Sequence, residues 1–214
     1  MTLPTDTFTQ RQAAVDAADS AQGLVDAVEA LAQLADKRAV PTLLQVLGFN
    51  NPGAAVAAVE GLIAIGTPAV TPLLTQLDTD NYGARAWAIR ALAGIGDPRG
   101  QSRLLEAATT DFAMSVRRAA ARGLGNLSWG TLSPQERYEY WQRSRQALLK
   151  TAQDDEWVVR YATVVGLEGL VQVGDIPATD RQQVCQQLAS IAQEASQPAV
   201  QIRARWALQR LSPP

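Results

Sequence analysis

The residues of this chain that could take part in chemistry are arginines, tyrosines and carboxylates. The 214-residue sequence contains no histidine and a single cysteine, Cys185. This composition excludes Ser-His and Cys-His nucleophile pairs, as well as zinc sites built from His or Cys ligands. We therefore predict no metal site. Any catalysis is expected to depend on Asp, Glu, Tyr, Arg or Lys, or on the positioning of reactants.

Arg118 and Arg122 are the first binding candidates. They stand four residues apart, so in a helix they lie side by side on one face. Two like charges at this spacing are mildly unfavourable unless an anion lies nearby. One interpretation is a solvated arginine face. The other is a site for carboxylate groups, which the planar guanidinium binds through two parallel hydrogen bonds.

The arginines must be positioned by repeated helices, which a recurring leucine indicates. This leucine is followed three residues later by Leu or Ile. Successive leucines are separated by 31, 30, 32, 43 and 41 residues, by subtraction of their positions: Leu31, Leu62, Leu92, Leu124, Leu167 and Leu208. A nearly constant period in a sequence without β-branched alternation is typical of stacked helical hairpins. We predict an all-α fold, a right-handed α-solenoid of about five to six repeats, curved and with a concave groove.

The repeats also predict the organisation of the chain. We expect one domain over 1–214, with a capping segment at 1–19, the repeats at 20–212 and a tail at 213–214. The two long spacings predict lengthened second helices near 134–152 and 179–194.

Helix starts are marked by residues that cap backbone N–H groups. The run Ser133-Pro134-Gln135-Glu136 has the pattern of a capping box. Thr67 and Asp97 each precede a proline, which predicts a cap before the first helical position. Asp80 and Asp111 also lie near predicted helix starts, where they either cap or point into the groove.

The helix that contains Leu92 has two distinct faces at 100° per residue. Tyr82, Ala86 and Arg90 fall on the side away from the neighbouring helices. The packed side holds mostly small residues: Ala84, Ala88, Ala91, Leu92 and Ile95.

Later repeats place different residues on the same outward side. Arg118 and Arg122 take the positions of Ala86 and Arg90 in the next copy, and Tyr161 and Val165 take them in the fifth. The inner layer of such a stack is the usual binding surface. We therefore expect the groove to carry tyrosine, arginine and small alanines.

Two further groups have structural interpretations. Arg85, Arg117 and Arg160 share one repeat position and are expected to form a ladder that bonds to acidic residues or carbonyls of the adjacent repeat. Trp87 and Cys185 are expected in the core.

Five aromatic residues cluster around the first long spacing. They form either a small core under a long loop or one wall of a pocket for a flat ligand, and both interpretations stay open: Trp129, Tyr138, Tyr140, Trp141 and Trp157.

Charge and hydropathy narrow the range of partners. The net charge is −2 and the sequence pI is about 5.2, whereas nucleic-acid binding usually requires a basic balance. The chain has neither a long apolar run nor a secretory signal at its start, and a lone cysteine fits a reducing compartment. We expect a cytoplasmic protein that binds neither nucleic acid nor membrane.

Three segments carry a family resemblance: YGARAWAIRALAGIGDPR at 82–99, DFA at 111–113 and VRRAA at 116–120. They resemble the HEAT-like repeat proteins of the CpcE/CpcF-type bilin lyase family, and the length matches the smaller, F-type subunits. The similarity of the repeats extends over nearly the whole chain.

The resemblance implies a heterodimer with a larger, CpcE-type subunit. Such a pair attaches phycocyanobilin, an open-chain tetrapyrrole, through a thioether to a cysteine of the phycocyanin α subunit, and can reverse the reaction. The bilin is then a substrate, and no tightly bound cofactor is expected. Related isomerising lyases carry an Asn-His-Cys element, so the absence of histidine here predicts attachment without isomerisation.

The resemblance also implies roles for residues of this chain. Arginines would hold the two propionates of the bilin, a carboxylate would bond to pyrrole N–H groups and aromatic residues would flank the rings. The candidates are Asp111 and Tyr82 for catalysis, and Arg90, Arg118, Arg122, Trp129 and Tyr161 for bilin binding.

Two other functions fit the same fold. A non-catalytic HEAT-repeat adaptor for phycobiliproteins, acting in phycobilisome assembly or turnover, would need no partner subunit. A HEAT-like DNA-repair glycosylase would need a cationic groove, which the acidic pI disfavours.

Overall fold

The computed structural model describes residues 6–77, 81–172 and 176–211. Within these ranges all regular secondary structure is helical, with twelve α-helices and three short 3₁₀ turns. The predicted all-α fold of helical hairpins is confirmed. Contacts within the chain divide it into two compact units, Met1–Asp97 and Pro98–Pro214. The single domain expected over 1–214 stays a prediction.

The first unit contains six α-helices among its described residues, with 3₁₀ turns at Lys37–Ala39 and Thr67–Ala69. The helices α2, α4 and α6 pack side by side, and α3 and α5 pack against them. The bounds are α1 Thr7–Asp16, α2 Ala21–Ala32, α3 Val40–Val46, α4 Pro52–Ile65, α5 Val70–Gln76 and α6 Tyr82–Ile95.

Helix α1 lies within the segment predicted to cap the repeats, and Arg38 contacts it. Phe8 and Val15 of α1 are buried. The guanidinium of Arg38 lies over the Phe8 ring at 4.2 Å and donates to Asp6 at 2.8 Å. Mainly because of that hydrogen bond, the pKa of Asp6 falls to about 2.

Side-chain caps explain where several helices of the first unit begin. Asn51 accepts from Ala54 N at 3.1 Å, and Asn81 accepts from Ala84 N at 3.0 Å. The prediction that Thr67 caps a helix is wrong, because the 3₁₀ turn begins at Thr67 itself and no side chain caps it. The residue before it, Gly66, has a φ of 74°, which glycine adopts without strain. Asp80 lies outside the described residues.

The second unit contains another six α-helices in its described part, with a 3₁₀ turn at Pro98–Gly100. The predicted capping box is present, since Ser133 and Glu136 bond to each other's backbone N–H. The two lengthened helices, α9 and α11, lie within one residue of their predicted bounds. The helices are α7 Gln101–Thr110, α8 Met114–Leu124, α9 Pro134–Thr151, α10 Trp157–Gln172, α11 Ala178–Glu194 and α12 Pro198–Leu211.

No single helix in the described ranges is both long enough and apolar enough to cross a membrane. Pro52–Ile65 and Thr67–Gln76 meet that requirement only together, and a bend of 116° separates them.

Candidate functional site

Helices α8, α10 and α12 pack side by side in the second unit, and α8 and α10 touch through their backbones. A Cβ atom on Gly125 would lie 2.3 Å from the carbonyl oxygen of Gly166, and one on Gly166 would lie 2.5 Å from that of Ala121. Only glycine allows so close an approach. Gly125 follows Leu124, and Gly166 precedes Leu167, so the repeat leucines are nearly level with each other.

This alignment creates one exposed surface. Each helix contributes the residues that stand ten, six and two positions before its repeat leucine. We call this set the arginine–tryptophan face: Met114, Arg118 and Arg122 on α8, Trp157, Tyr161 and Val165 on α10, and Pro198, Ile202 and Trp206 on α12.

Arg118 and Arg122 form the cationic edge of the face. Both side chains are exposed, and neither forms a hydrogen bond or ion pair with another residue in the described part of the chain. Two guanidinium groups, each with five N–H donors, can therefore receive an external anion.

The rest of the face is apolar. Trp157 is 44% exposed, Ile202 47% and Trp206 54%, while Tyr161 and Val165 are half-buried. Tyr161 was predicted to lie on this surface, whereas Trp157, Ile202 and Trp206 were not. Counting back from Leu208 by two and six residues would have found the two residues of α12.

Asp111 lies in the turn between α7 and α8, three residues before Met114. Its Oδ1 accepts from Ala113 N at 2.8 Å, and its carbonyl accepts from Arg117 Nη1 at 3.0 Å. The half-buried carboxylate thus has a structural role in the turn. Its predicted catalytic role remains a proposal.

The arginine ladder is present at Arg117 and Arg160. Arg117 donates to both carboxylate oxygens of Asp154, at 2.7 and 3.0 Å, and Arg160 donates to the side chain of Gln197. Both partners are 37 residues further along the chain, in the next repeat. At Arg85 the residues that correspond to Asp111 and Phe112 are 79 and 80, which lie outside the described ranges.

The aromatic cluster near the first long spacing is largely a small core. Trp129 is 5% exposed and meets Tyr140 edge-on, with ring centroids 6.0 Å apart. Trp141 is buried and donates to the carbonyl of Leu170 at 3.0 Å. The burial of Trp129 gives no support to its predicted contact with a bilin. Trp157 alone of the five is exposed.

Tyr82 and Arg90 share α6 of the first unit. Tyr82 is half-buried and Arg90 is exposed, as their positions on the outward side predicted. The guanidinium of Arg90 lies 5.4 Å from the ring centroid of Trp87, which is itself half-buried rather than enclosed in the core. The structure therefore groups the candidates as Tyr82 with Arg90, and Arg118 with Arg122 and Tyr161.

The remaining reactive group of the described chain is the thiol of Cys185. Cys185 is a free, half-buried thiol on α11, less enclosed than the core position expected for it. Among the described residues there is no group of three or more His, Cys, Asp or Glu side chains that could hold a metal ion.

Comparison with known proteins agrees with the helical-repeat fold. The family model for HEAT repeats matches residues 11–93 and 72–168. The chain is 51% identical over 94% of its length to "Phycocyanin alpha phycocyanobilin lyase CpcF" of Synechocystis sp. strain PCC 6803, covering 92% of that protein. It is 50% identical over 95% of its length to the "Phycobilisome maturation protein" of Synechococcus elongatus strain PCC 7942, covering 98% of it.

A solved structure matches as well. It is one chain of the complex of CpcE and CpcF of phycocyanin lyase from Nostoc sp. PCC7120, with a TM-score of 0.70 and 46% identity. The match covers 80% of this chain and 99% of that one. With half of its residues identical over nearly its full length, the chain belongs to the family of HEAT-repeat phycocyanobilin lyase subunits represented by CpcF.

Proposed function

We propose that this chain is the smaller subunit of a heterodimeric phycocyanobilin lyase, which joins phycocyanobilin through a thioether to a cysteine of the phycocyanin α subunit. The observation that carries the proposal is 51% identity over 94% of the chain to a lyase of that name. The likeness to a chain of a CpcE–CpcF complex supports a larger, CpcE-type partner.

The chemistry is an addition. The acceptor thiolate forms a carbon–sulfur bond at the ethylidene carbon of ring A, the ethylidene double bond opens towards the ring, and a proton is taken up there. The reverse reaction breaks the same bond. Because no atoms are lost, the protein can accelerate the step by holding one bilin conformation and by supplying the proton.

The candidates of each unit are proposed separately. In the second unit, Arg118 and Arg122 hold the propionate groups, Tyr161 flanks the rings, and Asp111 forms hydrogen bonds to pyrrole nitrogens. In the first unit, Arg90 is a candidate for binding a carboxylate and Tyr82 is a candidate for proton transfer. Phycocyanobilin is the substrate, and the reaction needs a reduced acceptor thiol, so we place it in the cytoplasm.

The test is co-expression of this chain with the larger subunit, apo-phycocyanin α and a source of phycocyanobilin. We expect the bilin to stay attached to the α subunit after denaturation. No attached bilin should be found when this chain is omitted. Covalent attachment of equal extent without this chain would remove the lyase function.

Arginine variants test the proposed propionate site. Arg118→Ala and Arg122→Ala should each weaken bilin binding by the two-subunit complex about tenfold, because each removes a charge-assisted pair. The matched control is Arg143→Ala, which removes an exposed arginine from α9. Unchanged affinity in both variants would remove these arginines from the site.

A further inference from the structure

We propose that helix α12 completes the bilin site, with Ile202, Trp206 and the neighbouring Trp157 of α10 contacting the tetrapyrrole rings. This inference rests on the proposed lyase function and adds three residues to it. Ile202 and Trp206 have no predicted role, and Trp157 was predicted only as part of a small core or of a pocket wall.

The first support is the concentration of exposed apolar side chains on one surface. Of the seven large hydrophobic residues exposed in the described chain, four lie on the arginine–tryptophan face: Met114, Trp157, Ile202 and Trp206. Isolated exposed hydrophobic residues are normal, but four on one surface, two of them tryptophans, indicate a binding surface.

The second support is that the orientation of α12 is fixed by a buried ion pair. Arg203 bonds to Glu168 of α10 through Nη2, and both residues are buried, at 7% and 4% exposure. Arg210 approaches the other oxygen of Glu168 at 3.5 Å. Because a buried ion pair is costly to break, α12 cannot rotate freely to cover Ile202 and Trp206.

The third support is charge complementarity. Arg118 and Arg122 bound the face on α8, while α10 and α12 present aromatic and aliphatic side chains. A bilin carries two propionates beside a conjugated chain of four rings. With the propionates at the arginines, the rings extend over Tyr161 and Trp157 towards α12.

The size of the face favours a small ligand over a protein. Three helices at no more than about 8–10 Å spacing, and nine residues from the first to the last position of the face at about 1.5 Å rise, define a patch of at most roughly 20 by 12 Å. Its area of roughly 240 Å² is far below the ~800 Å² that each partner buries in a standard protein interface.

The experiment measures phycocyanobilin binding by the assembled two-subunit complex, from the change in bilin absorbance on titration. Trp157→Ala and Trp206→Ala should each raise Kd about tenfold, since a flat aromatic contact and its buried area are lost. Ile202→Ala should raise it about threefold. Trp206→Phe should keep most of the affinity because it retains a ring.

Phe49→Ala is the matched control, since Phe49 is 45% exposed on the first unit and is not part of the face. Its Kd should stay within about twofold of that of the unmodified complex. Gel filtration of every variant with the larger subunit should show an unchanged complex.

Two outcomes would overturn the inference. One is unchanged bilin affinity in both tryptophan variants. The other is loss of the two-subunit complex in the variants, with normal bilin affinity once they are concentrated enough to assemble, because the face would then bind the protein partner. Both outcomes leave bilin attachment by the unmodified complex intact, whereas failure of that complex to attach bilin refutes the proposed function itself.

Discussion

Arg117 and Arg118 are adjacent in the sequence and have opposite roles in the structure. Arg117 donates to both oxygens of Asp154 and to the carbonyls of Asp111 and Phe112. Arg118 projects into solvent. A helix turns 100° per residue. A step of one residue therefore separates Arg117, which joins two repeats, from Arg118, which is available to a ligand.

The Arg117–Asp154 pair predicts how the stability of the protein depends on pH. Burial is the largest single influence and acts to raise the pKa of Asp154. The hydrogen bonds from Arg117 and from Glu156 N, together with the charges of Arg117 and Arg160, outweigh it, and the pKa lies below its usual value. A carboxyl group whose pKa is lower in the folded chain stabilises the fold at pH values above its pKa in the unfolded chain, which is about 3.9. This contribution is lost as the pH falls through the pKa of the folded state.

Asp154→Asn should therefore lower the free energy of unfolding by about 1–2 kcal/mol at pH 7 and by clearly less below about pH 4. Urea denaturation at the two pH values measures the difference. Asp155→Asn, at the exposed neighbouring carboxylate, is the control and should have little effect. A loss of equal size at both pH values would show that the charge of Asp154 does not stabilise the fold.

At the scale of elements, the contact between α8 and α10 decides the geometry of the candidate site. Gly125, Gly166 and Gly169 let the two backbones touch, and this brings Arg118 and Arg122 beside Tyr161 and its neighbours. The ridge-and-groove packing of larger side chains would hold the helices about 8–10 Å apart.

Gly166→Ala should separate α8 from α10, because its Cβ would lie 2.5 Å from a carbonyl oxygen that belongs to a helix and cannot rotate away. We expect a loss of about 2–3 kcal/mol in the free energy of unfolding, together with weaker bilin binding. Gly130→Ala is the matched control, because no heavy atom lies within 4 Å of its Cβ position. Equal stability of the two variants in thermal melts would refute the close-contact argument.

At the scale of the whole molecule, both compact units carry candidate residues: Tyr82 and Arg90 in one, the arginine–tryptophan face in the other. A solenoid is stabilised only by contacts between neighbouring repeats. A protein partner that binds the folded chain but not the unfolded chain raises its free energy of unfolding.

We expect the melting temperature of this chain to rise when the larger subunit is added, by an amount equivalent to about 2.7 kcal/mol at a free concentration one hundred times Kd. Calorimetry of each subunit and of the mixture gives the comparison, with an unrelated protein at equal mass concentration as the control for crowding. Two unshifted transitions in an excess of the larger subunit would contradict the proposed heterodimer.

Much of the fold could be predicted because its signals are local. The period of the repeat leucines identified the helices, and the capping box at Ser133 fixed the start of α9 to the residue. The 3.6-residue periodicity separated buried Ala88 and Leu92 from exposed Arg90. These properties depend on residues within a few positions of each other, so the sequence alone carries them.

The functional surface depends on contacts between distant positions, and only the tertiary structure decided it. Trp129 and Trp157 looked alike in the sequence, yet packing against Tyr140 buries the first, while the second stands exposed beside its neighbours on α10. The partner of Arg117 is 37 residues away, and the orientation of Trp206 follows from an ion pair that spans 35 residues. Periodicity predicts which side of a helix is buried, but the residues that meet across helices depend on how closely the backbones approach.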